Sequence, residues 1–325
     1  MHQLNVGPGL PWCQPNAHVP EGLMMRVGIP HRSGKLAFHA FEKDYPVMVS
    51  ANAFWDSKRQ CFVRPAASDL EECDTALDSA GFSAMWLWKK RGRQRGIAGI
   101  FPWTYAEYLD FATSFGASWY AQPDLCCEPE VAGDRDAVDY RVRATATLLE
   151  GCLQVLYHWH NLLARDRDCS ASVIARLLPP PVPVLQGWCV SDYLRSLELL
   201  DAVWARWIPW LAPPRLIGIG SVCRRNLHDP EHGLFAVLEA LEGRLPPGAR
   251  AHLFGVKGAA LSRLQHMPWI ASADSMAYDF AARIDARSAG IRNSIEHRRQ
   301  AMSRWMNAAE LRTKPASVSA QPLLN

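Results

Sequence analysis

Apolar residues in this chain come in short bursts that end on polar or glycine-containing turns, and these bursts alternate with longer stretches of helical period. Compact β-prone runs fall at 46–50, 75–77, 117–121, 184–188, 215–221, 251–255 and 269–274. Between them, apolar positions recurring at three- and four-residue steps predict helices over 104–114, 191–208, 230–243, 259–266 and 276–287. In 135–165 the stripe is Val138, Val142, Leu148, Leu149, Leu153 and Leu156, which makes one long amphipathic helix or two. Pro179 to Pro183 halts the chain before the fourth burst, and Ser191 is placed to cap the helix after it.

The ends of the chain break the rhythm. Residues 1–45 are rich in Pro and Gly, with apolar pieces only at 23–29 and 36–41, and read as a lead-in hairpin or barrel cap. A basic helix is predicted over 291–312, followed by a disordered Ser/Pro/Gln tail at 313–325. Strand, helix, strand, helix is the grammar of a parallel sheet with crossover helices. A doubly wound sheet is one solution. An α/β (β/α)8 TIM-like barrel over 46–290 fits better, because candidate functional residues follow five different strands. Only seven strands can be placed.

The burst at 269–274 delivers Asp274 to the point where strand turns into helix. Such an aspartate is most often a helix cap, worth roughly 1 kcal/mol. The other strand ends shift that balance. They carry Asp78, Asp124, Gln186-Gly187 and Gly218-Ile219-Gly220, which a parallel barrel would gather at one mouth. Three carboxylates, an amide and glycine backbone suit a purine-like base. Carboxylates accept from ring N–H and exocyclic amine, while an amide or backbone N–H donates to a carbonyl. A remaining carboxylate can attack an anomeric carbon.

Composition narrows the picture further. With 325 residues, 49% hydrophobic and 21% charged, the chain can bury a sizeable core. A net charge of +3 creates no global field for a polyanion. Local charge is another matter: Lys89, Lys90, Arg91, Arg93 and Arg95 crowd a stretch that follows Trp86 and Trp88, read as a long cationic loop over 83–103. Phosphate contacts beside a stacking platform are the functional reading, and a solvated loop the ordinary one. Arg283 and Arg287, at i, i+4 after Asp274, are further candidates to meet a nucleic acid.

The nine cysteines form no CxxC, which predicts reduced thiols and a cytoplasmic protein. No apolar run is long enough to span a membrane. His158 and His160 face different sides of a helix, the Cys126-Cys127 pair has no basic neighbour, and Gly218-Ile219-Gly220 lacks the third glycine of a dinucleotide fingerprint. No metal site is expected.

The strand-end motifs carry a resemblance. Asp-Ser-Ala-Gly-Phe (78–82), Pro-Asp-Leu-Cys (123–126), Leu-Gln-Gly (185–187), Gly-Ile-Gly (218–220), Phe-Gly-Val (254–256) and Ala-Asp-Ser (273–275) are similar, in order, to DSGGFQ, D-E-C, VQGG, GGLAVG, MGVG and D-C-V of the tRNA-guanine transglycosylase superfamily. The likeness spans roughly 46–285. Ala80 replaces one glycine, Trp188 another, and the CxCxxC…H zinc cluster is missing, so no zinc subdomain is expected. These departures resemble the DpdA-like branch, which installs 7-deazaguanine bases in DNA.

The resemblance implies that Asp274 is the nucleophile and Asp78 the general acid/base. It further implies that Asp124, Gln186, Gly187, Gly218, Gly220 and Phe82 hold the base. It requires no cofactor. The implied reaction replaces guanine by a preQ0-like 7-deazaguanine in DNA, with the free base, the nucleic acid and an ATPase or nuclease-like protein as partners. Exchange in tRNA is the alternative, and a non-catalytic, nucleic-acid-binding partner subunit with the same barrel is another. Retention of both Asp78 and Asp274 argues against the latter.

Overall fold

The computed structural model describes residues 22–313 apart from 31–33, 65–68, 168 and 209. Residues 1–21, most of the expected lead-in, and 314–325, the expected disordered tail, lie outside the described residues. The strands are β1 (Met24–Ile29), β2 (Val47–Ser50), β3 (Thr75–Asp78), β4 (Trp119–Tyr120), β5 (Val184–Leu185), β6 (Leu216–Ile219), β7 (Arg250–Leu253) and β8 (Ile270–Ser275). They form one eight-stranded parallel sheet in the order β4-β3-β2-β1-β8-β7-β6-β5. The two outer strands meet through a parallel bridge from Ala121 to Val182, with Val182 N–H on Tyr120 O at 2.8 Å and Gln122 N–H on Val182 O at 3.0 Å. The sheet thereby curls round on itself as a TIM-like (β/α)8 barrel.

The eighth strand is β1. It falls within the expected lead-in because Met-Met-Arg-Val-Gly-Ile interrupts an apolar run with a charge. In the fold, Arg26 is 2% exposed inside the barrel. Its guanidinium meets the Asp74 carboxylate at 3.0 Å and Asp74 O at 2.8 Å, and lies 5.8 Å from the Trp119 ring. A charge buried in this way is tolerated because it is paired and hydrogen-bonded. The barrel therefore begins at β1, upstream of residue 46.

Period-2 alternation explains the rest of the wall. Val27, Val47, Val49, Leu77, Ile217 and Leu253 point outward into the core shared with the helices, while Met48, Ala76, Trp119, Val184 and Leu216 pack in the interior cluster. The helices include α1 (Lys35–Glu42), α2 (Gly81–Arg91), α3 (Tyr105–Ser114), α4 (Arg135–Asp166), α5 (Val190–Trp207), α6 (Leu234–Leu241), α7 (Ala277–Ser288) and α8 (Ile295–Thr313). The long stripe is thus one helix, α4, opened by Asp134, whose carboxylate accepts from Ala137 N at 2.8 Å.

Two expectations change. The stretch expected as a cationic loop is helical through Arg91, because Lys89, Lys90 and Arg91 sit in the last turn of α2, where cations complement the helix dipole, and Gly92 (φ +75°) ends it. The C-terminal basic helix is no appendage. Met302, Met306 and Ala309 of α8 are buried in the main core, and Arg298 pairs with the buried Asp279 of α7. Arg299 bonds Glu42 at 2.7 Å. Two of its arginines thus hold the barrel wall together.

The turn after β3 is strained. Ala80 adopts φ +69°, ψ +28°, a left-handed conformation that costs a residue with a Cβ about 1–2 kcal/mol. Ala80→Gly relieves this while adding unfolded-state entropy and giving up a methyl that is 2% exposed, so a change near zero is expected where those two losses alone would destabilise by roughly 1.5 kcal/mol. Denaturant unfolding measures it; a variant destabilised by that amount would contradict the strain.

Candidate active site

Alternation along each strand aims the final inward residue of several strands at the C-terminal mouth. Asp78 is the last residue of β3, Asp274 the penultimate residue of β8, and Gln186 follows β5 directly. Asp124 lies four residues past β4 and is 8% exposed. The barrel brings these four side chains together as the spacing predicts.

Asp78 accepts from Ala80 N–H at 3.0 Å. Burial, then the nearby charges of Asp124 and Asp274, push its carboxyl up to about 7. Burial likewise raises Asp124 to about 6, opposed by donors from Ser79 (2.6 Å to Oδ1) and Gln186 (to Oδ2). Gly81 leaves room for Asp124: a Cβ there would stand 2.6 Å from Asp124 O. Asp274 Oδ1 accepts from Gly255 N–H at 2.8 Å and lies 3.4 Å from His252 Nε2. Among the described residues, no donor meets Oδ2.

Gln186 is 1% exposed and tied at both ends of its amide, to Asp124 through Nε2 and to Ser221 Oγ at 2.6 Å through Oε1. It fixes the Asp124 carboxylate. The glycines after it work differently from the expectation. Gly218 N–H bonds Pro183 O at 2.8 Å and Gly220 N–H bonds Leu185 O at 2.9 Å, so both donors belong to the sheet ladder and neither is free for a base. What these positions need is the missing Cβ: it would lie 2.4 Å from Phe254 at Gly218 and 2.1 Å from Gln186 Nε2 at Gly220. Gly187 is buried, with its carbonyl accepting from Arg225 Nη2 at 3.2 Å.

Several participants carry no sequence signal. Glu128 Oε2 is 3.0 Å from Ser221 Oγ, which also accepts from Cys127 N–H at 2.6 Å. Arg225, 2% exposed, donates to Ser221 O, Gly187 O, Trp188 O, His232 O and the Tyr193 hydroxyl, and lies 4.3 Å from the Trp188 ring. It fastens the turns after β5 and β6 to each other. The bulky Trp188 is the platform for that guanidinium. Cys126 and Cys127 are buried thiols held above the ordinary range by desolvation.

The cationic residues divide. Phe82 and Trp86 are exposed on α2 with their rings 6.3 Å apart. Lys89 is exposed, bonds Glu130 O and lies 5.6 Å from the Trp86 ring; Lys90, Arg91 and Arg93 are exposed. Arg95 is engaged with Glu107 and with Gln60 Oε1 at 3.0 Å. Arg283 is tied to Asp279, whereas Arg287 is exposed. Among the described residues no group of three or more His, Cys, Asp or Glu side chains could hold a metal ion, and no helix is long and apolar enough to cross a membrane.

The eight-stranded parallel barrel, with carboxylates at the ends of β3 and β8 and beyond β4, is joined by a family match that makes the chain a transglycosylase-type enzyme of the tRNA-guanine transglycosylase superfamily. Residues 46–315 match the family described as DpdA, DeoxyPurine in DNA protein A, and the chain belongs to that family. Membership implies replacement of guanine in DNA by a deazapurine. Among curated proteins, none matches the chain.

Proposed function

We propose that this protein is a pentosyltransferase that exchanges guanine in DNA for a preQ0-like 7-deazaguanine through a covalent glycosyl-enzyme on Asp274. The observation that carries this reading is the convergence of Asp78, Asp124 and Asp274 at one mouth, where burial first, and the neighbouring carboxylates second, favour the protonated form of Asp78 up to about 7. One acid that keeps its proton beside one carboxylate with an unoccupied oxygen is the division of labour that double displacement requires.

In the first step a carboxylate oxygen of Asp274 bonds to C1′ as the C1′–N9 bond breaks. The electron pair leaves with guanine, which takes the proton of Asp78. The incoming base then returns its N9 proton to Asp78 and attacks C1′, releasing Asp274. Two inversions retain the configuration. Asp124, held by Ser79 and Gln186, accepts from the N–H edge of the base. The target nucleotide leaves its stack to reach the mouth, at a cost of a few kcal/mol. A duplex-opening partner of ATPase or nuclease-like type fits that need, and would make mismatched or single-stranded DNA the faster substrate in its absence.

Lys89, Lys90, Arg91 and Arg93, with the Trp86 ring 5.6 Å from Lys89, are the proposed track for the DNA backbone. Their joint replacement by glutamine is expected to weaken DNA binding and to flatten the slope of log K against log salt by about 0.9 for each phosphate that is no longer neutralised. Fluorescence anisotropy over a salt series measures this. An unchanged slope would make the cluster a solvated helix end.

A further inference from the structure

Directly beneath Asp274 is a histidine to which the exchange chemistry gives no role. His252, on β7, is fully buried, with the Trp119 and Phe254 rings edge-on at 4.8 and 4.7 Å. Its Nδ1 is 2.8 Å from Ser272 Oγ and its Nε2 is 3.4 Å from Asp274 Oδ1. Among the described residues Nε2 makes no hydrogen bond of ordinary geometry, and the long approach to Asp274 is the contact open to it. Two charged groups act on the ring, Asp274 from β8 and Arg26 from β1, while Trp119 and Phe254 bring none. Desolvation holds the imidazole below its ordinary range and Arg26 adds to this, with Asp274 opposing, so the ring is neutral and carries one N–H. A bare Nε2 would set its lone pair against the carboxylate. The tautomer that satisfies both contacts has the proton on Nε2 and takes the Ser272 hydroxyl as donor to Nδ1.

We propose that His252 is a positioning residue for base exchange, its Nε2–H joining Gly255 N–H on Asp274 Oδ1 so that Oδ2 is presented to C1′. The role rests on the reading of Asp274 as nucleophile. In the glycosyl-enzyme, Oδ2 is the ester oxygen and Oδ1 the carbonyl. When the second displacement breaks the Oδ2–C1′ bond, the electron pair returns to the carboxylate and negative charge builds on Oδ1, where both donors wait. A donor on Oδ1 holds the charged carboxylate more strongly than the ester carbonyl, so it favours the transition state of release over the adduct from which release starts. His252 therefore acts more strongly on release of the adduct than on its formation.

The test uses His252→Met, which keeps the volume and removes the donor, and His252→Gln, whose amide N–H can take the place of Nε2–H. Wild type and variants are mixed with single-stranded DNA and labelled 7-deazaguanine, and the covalent protein–DNA adduct is followed on denaturing gels. Adduct decay in His252→Met is expected to slow by roughly 10- to 100-fold, the size of a hydrogen bond to a charged group, so that adduct accumulates. His252→Gln is expected to restore decay to within about tenfold of wild type.

Wild-type decay in His252→Met, or equal slowing of formation and decay that His252→Gln does not relieve, would overturn the proposal. Should circular dichroism find His252→Met unfolded, Ser272→Ala carries the test. Loss of its hydroxyl frees the tautomer, and an unchanged adduct lifetime would be the contrary result. Asp274→Ala run alongside separates the two readings: adduct formed without Asp274 defeats the nucleophile assignment itself, whereas its absence together with a wild-type-like His252→Met counts against His252 alone.

Discussion

Asp274→Ala is expected to abolish base exchange, by about 10⁴-fold or more, and to leave no covalent DNA adduct. The loss falls on chemistry rather than on folding. Asp274 is at the mouth with a 15% exposed side chain, and the groups it leaves, Gly255 N–H and the neutral His252 ring, carry no charge that would be stranded. Wild-type secondary structure and near-normal binding of DNA should therefore accompany the dead enzyme. Asp274→Asn is expected to be equally inactive while preserving the contact to Gly255, which excludes a purely structural loss. Residual exchange within tenfold of wild type in either variant would remove Asp274 from the reaction.

The second large effect concerns Asp78. In the proposed mechanism Asp78→Asn removes the proton donor and acceptor of both displacements, and a loss of about 10²- to 10⁴-fold is expected. With Asp78 as the proposed proton donor, the wild-type rate of guanine expulsion should fall as pH rises through about 7, and the asparagine variant should lack that limb.

Stability carries an independent signature. The folded carboxyl keeps its proton up to about 7, whereas the unfolded one loses it near 3.8, so between those values the folded state binds more protons. Stability therefore declines as pH rises across this window, and the whole cost is present above it. Asp78→Asn removes that cost. Denaturant unfolding at pH 8 should find the variant more stable by on the order of 1–3 kcal/mol, moderated by water at the mouth, with the gain shrinking toward pH 4. A variant no more stable at pH 8 than wild type would show that Asp78 is not held protonated.

Much of the architecture was legible because periodicity reports burial directly. Seven strands, the long helix α4 and the arrival of Asp78, Asp124, Gln186 and Asp274 at strand ends all follow from apolar bursts of fixed parity. What stayed hidden depends on partners distant in sequence. β1 was obscured by Arg26, whose burial makes sense only once Asp74 is beside it, 48 residues on. The end of α2 looked like a loop because three consecutive cations are unusual inside a helix, yet they suit its last turn.

Gly218 and Gly220 were visible as glycines but not as the space taken by Phe254 and Gln186, because a sequence does not say which side chain crosses a backbone. His252 and Arg225 had no motif at all. Each is noticed through its neighbours, Asp274 at 3.4 Å for the one and five neutral acceptors for the other, which it meets only in the closed barrel.

The central claim is that carboxyls 196 positions apart in sequence, Asp78 and Asp274, work on one base in one cavity. The most direct measurement supplies isotopically labelled 7-cyano-7-deazaguanine with DNA, single-stranded and duplex, and with tRNA, then digests each polymer to nucleosides for mass spectrometry. Labelled deazaguanine deoxynucleoside from DNA, with an equivalent of guanine released and neither seen for Asp274→Ala or Asp78→Asn, is the expected result. Label in tRNA alone, or in DNA irrespective of those two substitutions, would contradict it.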